Sequence, residues 1–509
     1  METRTSAREC WLVYLLGTLV SFLMMRYGHV ACSASMHLRS DYDLNIYYLI
    51  GNAWMNGILP YVGLTDLKGP LVFLFHGLGS LVTPGSFLGI CLLHAPLVGL
   101  GLLFAYKSAR LFLPAGSSGA VLGFYLVFLM YFAVNPAEQV WVMQHISLYF
   151  LLCWASGKSR CFSDCQLLLL GAFVAVALLL KFNLVAFWGP VCLLALCVAR
   201  WRAFLYQGIG FVVVLLPCLG YFWWHGALQA MWDEYVGIAL SYGRVPFAES
   251  AIHERHFLLF RGATPYHFYK AVPEEVLAIL GAVPCLAWPL LWLRRITSLR
   301  MSALCCLAAA FILQVYASYS GKYDFLHYAF VFFPFCFLSL VLLACVLRKW
   351  QKLFAGFGYV AGCGILAITL LLPVYVKYGR TYNGNAQMKE TALLLCQRLE
   401  GVPASDLLIL DTSKSLHINR LTGRLPHLHH FVPPLIKGGF AQHRAEQLEY
   451  IQEVRPTYLL GSEWDKEREA ELIEHSGVKY RAISHRELGF PAYPAHARQP
   501  ELILYQRID

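Results

Sequence analysis

The chain has 509 residues, of which 58% are hydrophobic and only 14% charged, far below the roughly 25% charged content of soluble domains. Lys and Arg number 40 against 30 Asp and Glu, a formal net charge of +10, but the basic residues are scattered at the ends of apolar runs. This composition excludes a soluble globular protein. The lack of a basic module with interleaved aromatics excludes nucleic acid as the expected partner.

Apolar runs long enough to cross a bilayer, roughly 17–25 residues, are predicted near 10–26, 86–106, 117–134, 139–156, 165–181, 183–199, 204–224, 273–293, 301–319, 326–347 and 355–376. The first is read as a span and not as a cleaved signal, because no convincing small-residue cleavage site accompanies it. Lys107/Arg110, Lys158/Arg160, Arg200/Arg202, Arg294/Arg295/Arg300 and Arg348/Lys349/Lys352 close alternate connections, and Arg4 and Arg8 precede the first span. The positive-inside rule puts all of these in the cytoplasm. Eleven spans then put loops 27–85 and 225–272 and the C-terminal segment on the exterior face of a plasma (inner) membrane. The stretch 70–83 is apolar but too short to span comfortably, and predicts an interfacial or re-entrant helix.

Beyond residue 377 the character changes. Segments 406–411, 456–461 and 501–505 predict short buried strands, and 442–454 carries helical spacing. The expected fold class is mainly α: a polytopic membrane protein of about 11 transmembrane helices over residues 1–376, followed by a small exterior α/β domain over 377–509. Most of the 16 cysteines lie in apolar runs, where they act as small hydrophobes. No CxxC pair or Cys/His spacing indicates zinc.

The residues with chemistry concentrate in the first exterior loop: Ser40-Asp41-Tyr42-Asp43, then Gly57-Ile58-Leu59-Pro60-Tyr61, then Asp66-Leu67-Lys68-Gly69-Pro70. Charges at a bilayer edge are costly and mark functional sites. Asp41 and Asp43 share a face of an extended lead-in, ahead of an amphipathic run, 44–50, expected along the membrane surface. A carboxylate there suits a general base for an acceptor hydroxyl, or a metal ligand; Lys68 suits a lipid-linked phosphate. The plainer alternative makes Asp41 a helix cap and Lys68 a snorkelling side chain.

A second polar cluster joins Lys322, Asp324, His327 and Tyr328. Its donors suit a phosphate, although Asp324 could pair with Lys322 in a structural turn. Loop 225–272 exceeds ordinary connection length and could gate a lipid or acceptor entrance. His427, His429 and His430 have no acidic or cysteine partner at useful spacing, so a solvated loop is expected there.

An early Asp, then Gly57-x-x-Pro60-Tyr61, then Asp66-x-Lys68-Gly69-Pro70 resembles the polytopic GT-C glycosyltransferases, with bacterial relatives of the protein O-mannosyltransferases and aminoarabinose transferases as the nearest pattern. Asn135-Pro136-Ala137-Glu138, Lys181-Phe182-Asn183 and His327-Tyr328 followed by Pro334 extend the resemblance, as does the exterior α/β segment. The resemblance implies a sugar carried on a polyprenyl phosphate, transferred with inversion to a glycan, lipid or protein acceptor on the exterior face. It makes the first-loop aspartate the catalytic base: Asp43 by its spacing to Gly51, with Asp41 as the alternative. Lys68, Lys322, His327 and Tyr328 would hold the donor phosphate, and Asp66, Tyr61 and Glu138 the substrate. Many relatives carry an acidic residue where this chain has Gly63. The expectation is therefore transfer without a metal or other cofactor, a divalent cation being the disfavoured alternative. Transporter or flippase activity, and a polymerase or ligase using diphosphate-linked glycans, are the competing classes. The first is opposed by the lack of midplane charges and repeats, the second by the scarcity of exterior arginines.

Overall fold

The computed structural model describes residues 5–23, 25, 42–132, 139–241, 281–285, 287–288, 299–319, 331–350, 391–410, 412–434, 438–462, 465–484, 487–488 and 502–508. These residues are mainly helical. In chain order the principal helices are α1 (Ala7–Leu23), α2 (Tyr42–Met55), α3 (Pro70–Val82), α4 (Leu88–Arg110), α5 (Ala115–Phe132), α6 (Gln139–Ala155) and α7 (Asp164–Leu180). They continue as α8 (Trp188–Ala199), α9 (Trp201–Trp224), α10 (Met301–Tyr319), α11 (Phe333–Trp350), α12 (Thr412–Thr422), α13 (Gly439–Val454) and α14 (Lys466–Ser476). The strands are β1 (Leu407–Ile409), β2 (Tyr458–Ser462), β3 (Tyr480–Ala482) and β4 (Leu502–Arg507).

Among the described residues, four helical stretches are long and apolar enough to cross a membrane: Leu88–Arg110, Phe182–Ala199, Trp201–Trp224 and Met301–Ser318. The runs predicted near 10–26, 117–134, 139–156, 165–181 and 326–347 are also helical, as α1, α5, α6, α7 and α11. The predicted runs 273–293 and 355–376 lie largely or wholly outside the described residues.

The chain divides into two units. The first takes its residues from 1–24, 93–221 and 252–375. Here the Glu9 carboxylate of α1 accepts from Arg110 Nε at 3.1 Å and from the Tyr106 hydroxyl, tying two helices at their polar ends. Helices α7 and α9 approach so closely that a Cβ at Gly171 would overlap the Gln207 carbonyl, and one at Gly210 the Leu168 carbonyl. Small residues of this kind let membrane helices pack backbone to backbone. After α7, Lys181 is extended and Phe182–Phe187 forms a 3-10 turn. Its Asn183 side chain donates to the Ala317 carbonyl at 3.2 Å, and the Phe187 amide donates to Gln314 Oε1 at 3.2 Å. The second bond satisfies a backbone amide at the break in the helix, and the first a carbonyl in the last turn of α10.

The second unit takes its residues from 25–92, 222–251 and 376–509, so the first loop and the C-terminal segment share it. Helices α2 and α3 cross at Gly51 and Gly77, where a Cβ on either glycine would overlap the other helix's backbone. Pro70 starts α3 without needing a backbone N–H. The sheet has the order β1-β2-β4-β3, with β1 and β2 parallel and the remaining pairs antiparallel. Leu395, Leu399, Leu407, Ile409, Ile418, Leu460 and Leu504 build the core beneath it. The three strands and the helix predicted from periodicity are present as β1, β2, β4 and α13. Strand β3 and helices α12 and α14 were not anticipated, since α12 and α14 carry too few apolar residues to mark a period.

Candidate functional site

The site is built on the turn between α2 and α3. Gly57, at φ +86°, takes the chain out of α2, and the Tyr61 amide donates to the Leu64 carbonyl while the Gly63 amide donates to the Leu59 carbonyl, both at 2.9 Å. Tyr61 itself sits at φ +69° with its ring buried, a conformation that is rare for a bulky side chain and concentrates at functional sites. Its hydroxyl donates to the Lys68 carbonyl at 2.7 Å, which sets the course of the Asp66–Lys68 stretch.

Asp43 lies in the first turn of α2, where a carboxylate is favoured by the helix dipole. One turn on, the Tyr47 hydroxyl donates to Asp43 Oδ2 at 3.3 Å. Lys68 Nζ stands 5.5 Å from the centre of the Tyr47 ring and 4.0 Å from Asp66 Oδ2. That Asp66 oxygen is buried and accepts no hydrogen bond among the described residues. Burial pushes the Asp66 carboxyl above its ordinary pKa, against the pull of Lys68 and with a further push from Asp43. Burial, then the Asp43 charge, hold the Tyr47 phenol well above its usual pKa. Asp43, Asp66 and Lys68 thus converge on Tyr47, with Phe73 and His76 of α3 packed against the same ring.

Two expectations are corrected here. Asp43 is helical, not part of an extended lead-in, so its partner is the residue four positions on. Residues Leu44 to Ile50 are all buried, where an amphipathic surface run was expected. The reason is that α2 is covered by α3 and also by α12. Arg420 of α12, 1% exposed, donates to Asn45 Oδ1 at 2.7 Å and to the Gly85 carbonyl at 2.5 Å, and its guanidinium lies 4.2 Å from the Phe87 ring centre. The Tyr48 hydroxyl accepts from the Gly85 amide at 2.6 Å and closes this support.

Of the residues predicted from the sequence, the structure brings together Asp43, Asp66, Lys68 and Tyr61. Asp41, Glu138, Lys322, His327 and Tyr328 lie outside the described residues. Sequence reasoning missed Tyr47, although an aspartate and a tyrosine four apart would signal a pair once the helix is read from residue 42. It also missed Glu234, whose carboxylate accepts from the Thr65 hydroxyl at 2.8 Å and faces His429 Nε2 at 3.8 Å and His430 Nε2 at 3.9 Å. His430 is buried, where a solvated loop was expected, and its Nδ1 is bonded to Glu446 Oε1 at 2.5 Å.

No protein-family model matches the chain, and no curated protein matches it by sequence. Solved structures do match in shape. The apo oligosaccharyltransferase of Archaeoglobus fulgidus aligns with a TM-score of 0.50 at 14% identity, over 90% of this chain and 70% of that one. The same archaeon's AglB, in complex with an inhibitory peptide and a dolichol-phosphate, aligns at 0.48 and 12% identity, again over 90% of this chain and 70% of that one. ArnT from Cupriavidus metallidurans in the apo state aligns at 0.49 and 14% identity, over 98% of both chains. The chain is thus similar in fold to the archaeal oligosaccharyltransferase.

Proposed function

We propose that this chain is a multi-pass membrane glycosyltransferase that moves a sugar from a polyprenyl-phosphate donor to a glycan, lipid or protein hydroxyl on the exterior face, with inversion. The observation that carries this reading is the convergence of Asp43, Asp66 and Lys68 on Tyr47, within a fold like that of an archaeal oligosaccharyltransferase. In the proposed step the acceptor oxygen attacks the anomeric carbon as the bond from that carbon to the phosphate oxygen breaks. Asp43 takes the acceptor proton, and positioned general bases contribute on the order of 10²–10⁴ in rate. The polyprenyl phosphate leaves with the bonding electrons, and Lys68 offsets its charge in surroundings of low dielectric constant. Tyr47 is a positioning residue: its hydroxyl fixes the Asp43 carboxylate. Asp66 and Tyr61 would bind the sugar side of the substrate. Lys322, His327 and Tyr328 keep the donor-phosphate role, and Glu138 the substrate role, that the family resemblance gives them.

The same proposal includes about eleven spans, a plasma-membrane location, and residues 377–509 as an exterior domain with a binding or scaffolding task. The transfer step is assigned no cofactor, because Gly63 stands where a second carboxylate would be needed for a bridged cation. The direct test is to incubate membranes carrying the chain with a panel of labelled polyprenyl-phosphate sugars and follow label into endogenous acceptors. Release of polyprenyl phosphate together with labelled acceptor is expected. Failure with every donor would refute the reading.

A further inference from the structure

In the sheet of the second unit the parallel strands β1 and β2 lie side by side, with Ile409 opposite Leu460. Each leads into a helix, β1 into α12 from Thr412 and β2 into α14 from Lys466, so two helix N-termini stand at the edge where the parallel strands end. Parallel α/β sheets bind their ligands at that edge, and a helix N-terminus favours an anion. Asp465, just ahead of α14, is already paired with Arg444 at 3.7 Å and Arg468 at 3.5 Å, which offsets its charge. Two hydroxyls add to this edge. Leu460 of β2 and Ile418 of α12 belong to one apolar core beneath the sheet. Ser462 lies two residues beyond Leu460 on the same face of β2, and Ser415 one turn before Ile418 on the same face of α12. Both serines therefore face the space between the first turn of α12 and the end of β2. Both are 0% exposed, and neither Oγ has a hydrogen-bond partner among the described residues, not even the other. Buried hydroxyls in that state are costly and rare. On the opposite face, Gly461 makes room for the Glu469 carboxylate, which accepts from the Ser462 amide at 2.9 Å and the Tyr505 hydroxyl at 3.2 Å. That negative charge is thus turned away from the two hydroxyls.

We propose that Ser415, Ser462 and the N-terminus of α12 form a binding site for a phosphate group, either free or as a phosphate ester. A phosphate supplies the acceptor oxygens that both hydroxyls lack, and its charge is the one that a helix N-terminus stabilises. A cation would meet neutral hydroxyls at the positive end of a helix and is disfavoured there. The site also has a mechanical consequence. Helix α12 carries Arg420, which donates to Asn45 of α2, so a phosphate on its first turn would firm the support of the helix that holds Asp43. The ligand would touch no reacting atom, and its binding is independent of the transfer step proposed above.

The test uses the full chain purified in detergent, freed of phosphate, and titrated at constant ionic strength with inorganic phosphate alone and with glucose 1-phosphate alone. Melting temperature and phosphorus NMR line broadening follow the binding. A saturable rise in melting temperature with saturable broadening is expected, and tighter binding of one probe assigns the site to the free or to the esterified group. Ser415→Ala and Ser462→Ala should each weaken binding about tenfold, the equivalent of one hydrogen bond to a charged group. Without phosphate each variant should melt at or above the parent's temperature, because an unpaired buried hydroxyl has given way to an apolar group. That combination separates a ligand contact from a structural role, which would lower the unliganded melting temperature. Should one variant fail to fold, the other still decides the matter, since each removes one of the two oxygens. Ser405→Ala is the control: that side chain is exposed in the same unit and its loss should leave binding unchanged. An equal response of the parent and the Ser415→Ala/Ser462→Ala chain to phosphate would overturn the site. So would a parent chain with no saturable response to either probe, which would leave the two hydroxyls to an ordered water.

Discussion

Arg420 donates to Asn45 Oδ1 at 2.7 Å although 375 residues separate them. This bond fastens α12, from the C-terminal segment, onto α2, which carries Asp43 and Tyr47. Its removal would leave Asn45 and the Gly85 carbonyl buried with a lost donor each, and hydrogen bonds to charged groups contribute about 1.5–3 kcal/mol apiece. Arg420→Ala is therefore expected to cost on the order of 3 kcal/mol and to lower the melting temperature clearly. Arg420→Lys should fall well short of rescue, because an ammonium cannot reach both acceptors and face the Phe87 ring as a planar guanidinium does. Thermal unfolding in detergent of the three proteins checks this.

Gly51 and Gly77 form a second joint in the same unit. Their mutual backbone approach has no room for a methyl group, and overpacking typically costs about 1–3 kcal/mol. Gly51→Ala should destabilise the chain by that amount and reduce transfer as well, by moving α2 against α3. Gly116→Ala, where a Cβ would meet nothing within 4 Å, should leave both properties unchanged. A Gly51→Ala protein with parental melting temperature would show that the helices can part without cost.

Asp66 offers a pH test. Its folded-state pKa is raised, chiefly by burial, so between the ordinary carboxylate pKa and the raised one the folded chain binds more protons than the unfolded chain. Stability from this group is then present at acid pH and lost as pH rises through that window. Asp66→Asn removes the charge while keeping the shape. It should raise the melting temperature at neutral pH, flatten its fall between mildly acid and neutral pH, and lower transfer activity. Functional residues often oppose stability in this way. Parallel melting-temperature curves for the two proteins would contradict the account.

Tyr47→Phe separates positioning from folding. The hydroxyl bonded to Asp43 Oδ2 is removed while the buried ring stays among Phe73 and His76. The expected result is a fall in kcat of about tenfold, near the 1.4 kcal/mol that one hydrogen bond can contribute, at an unchanged melting temperature and KM. A structural role alone would lower the melting temperature and leave kcat of the folded protein in place.

The reach of the sequence differs from element to element. Helices α1 and α4 through α10 coincide with apolar runs because uninterrupted apolar length signals a span without tertiary context. The Gly57, Pro60 and Lys68-Gly69-Pro70 signals mark the turn after α2 and the start of α3, and they single out Asp43, Asp66, Lys68 and Tyr61. The cover over α2 was not legible. It comes from α12, whose buried face includes His417, Asn419 and Arg420, residue types that ordinarily indicate solvent. The same holds for Glu234 with His429 and His430: their meeting is made by tertiary packing, and no sequence spacing encodes it.

The most direct test of the central claim compares the parent chain with Asp43→Asn in membranes supplied with a polyprenyl-phosphate sugar that the parent uses. Asn keeps the shape and can still pair with Tyr47, so expression, melting temperature and donor binding should be unchanged. Transfer should fall by about 10²–10⁴-fold, the usual contribution of a general base. Transfer within a few-fold of the parent would contradict Asp43 as the base and with it the mechanism drawn from this site.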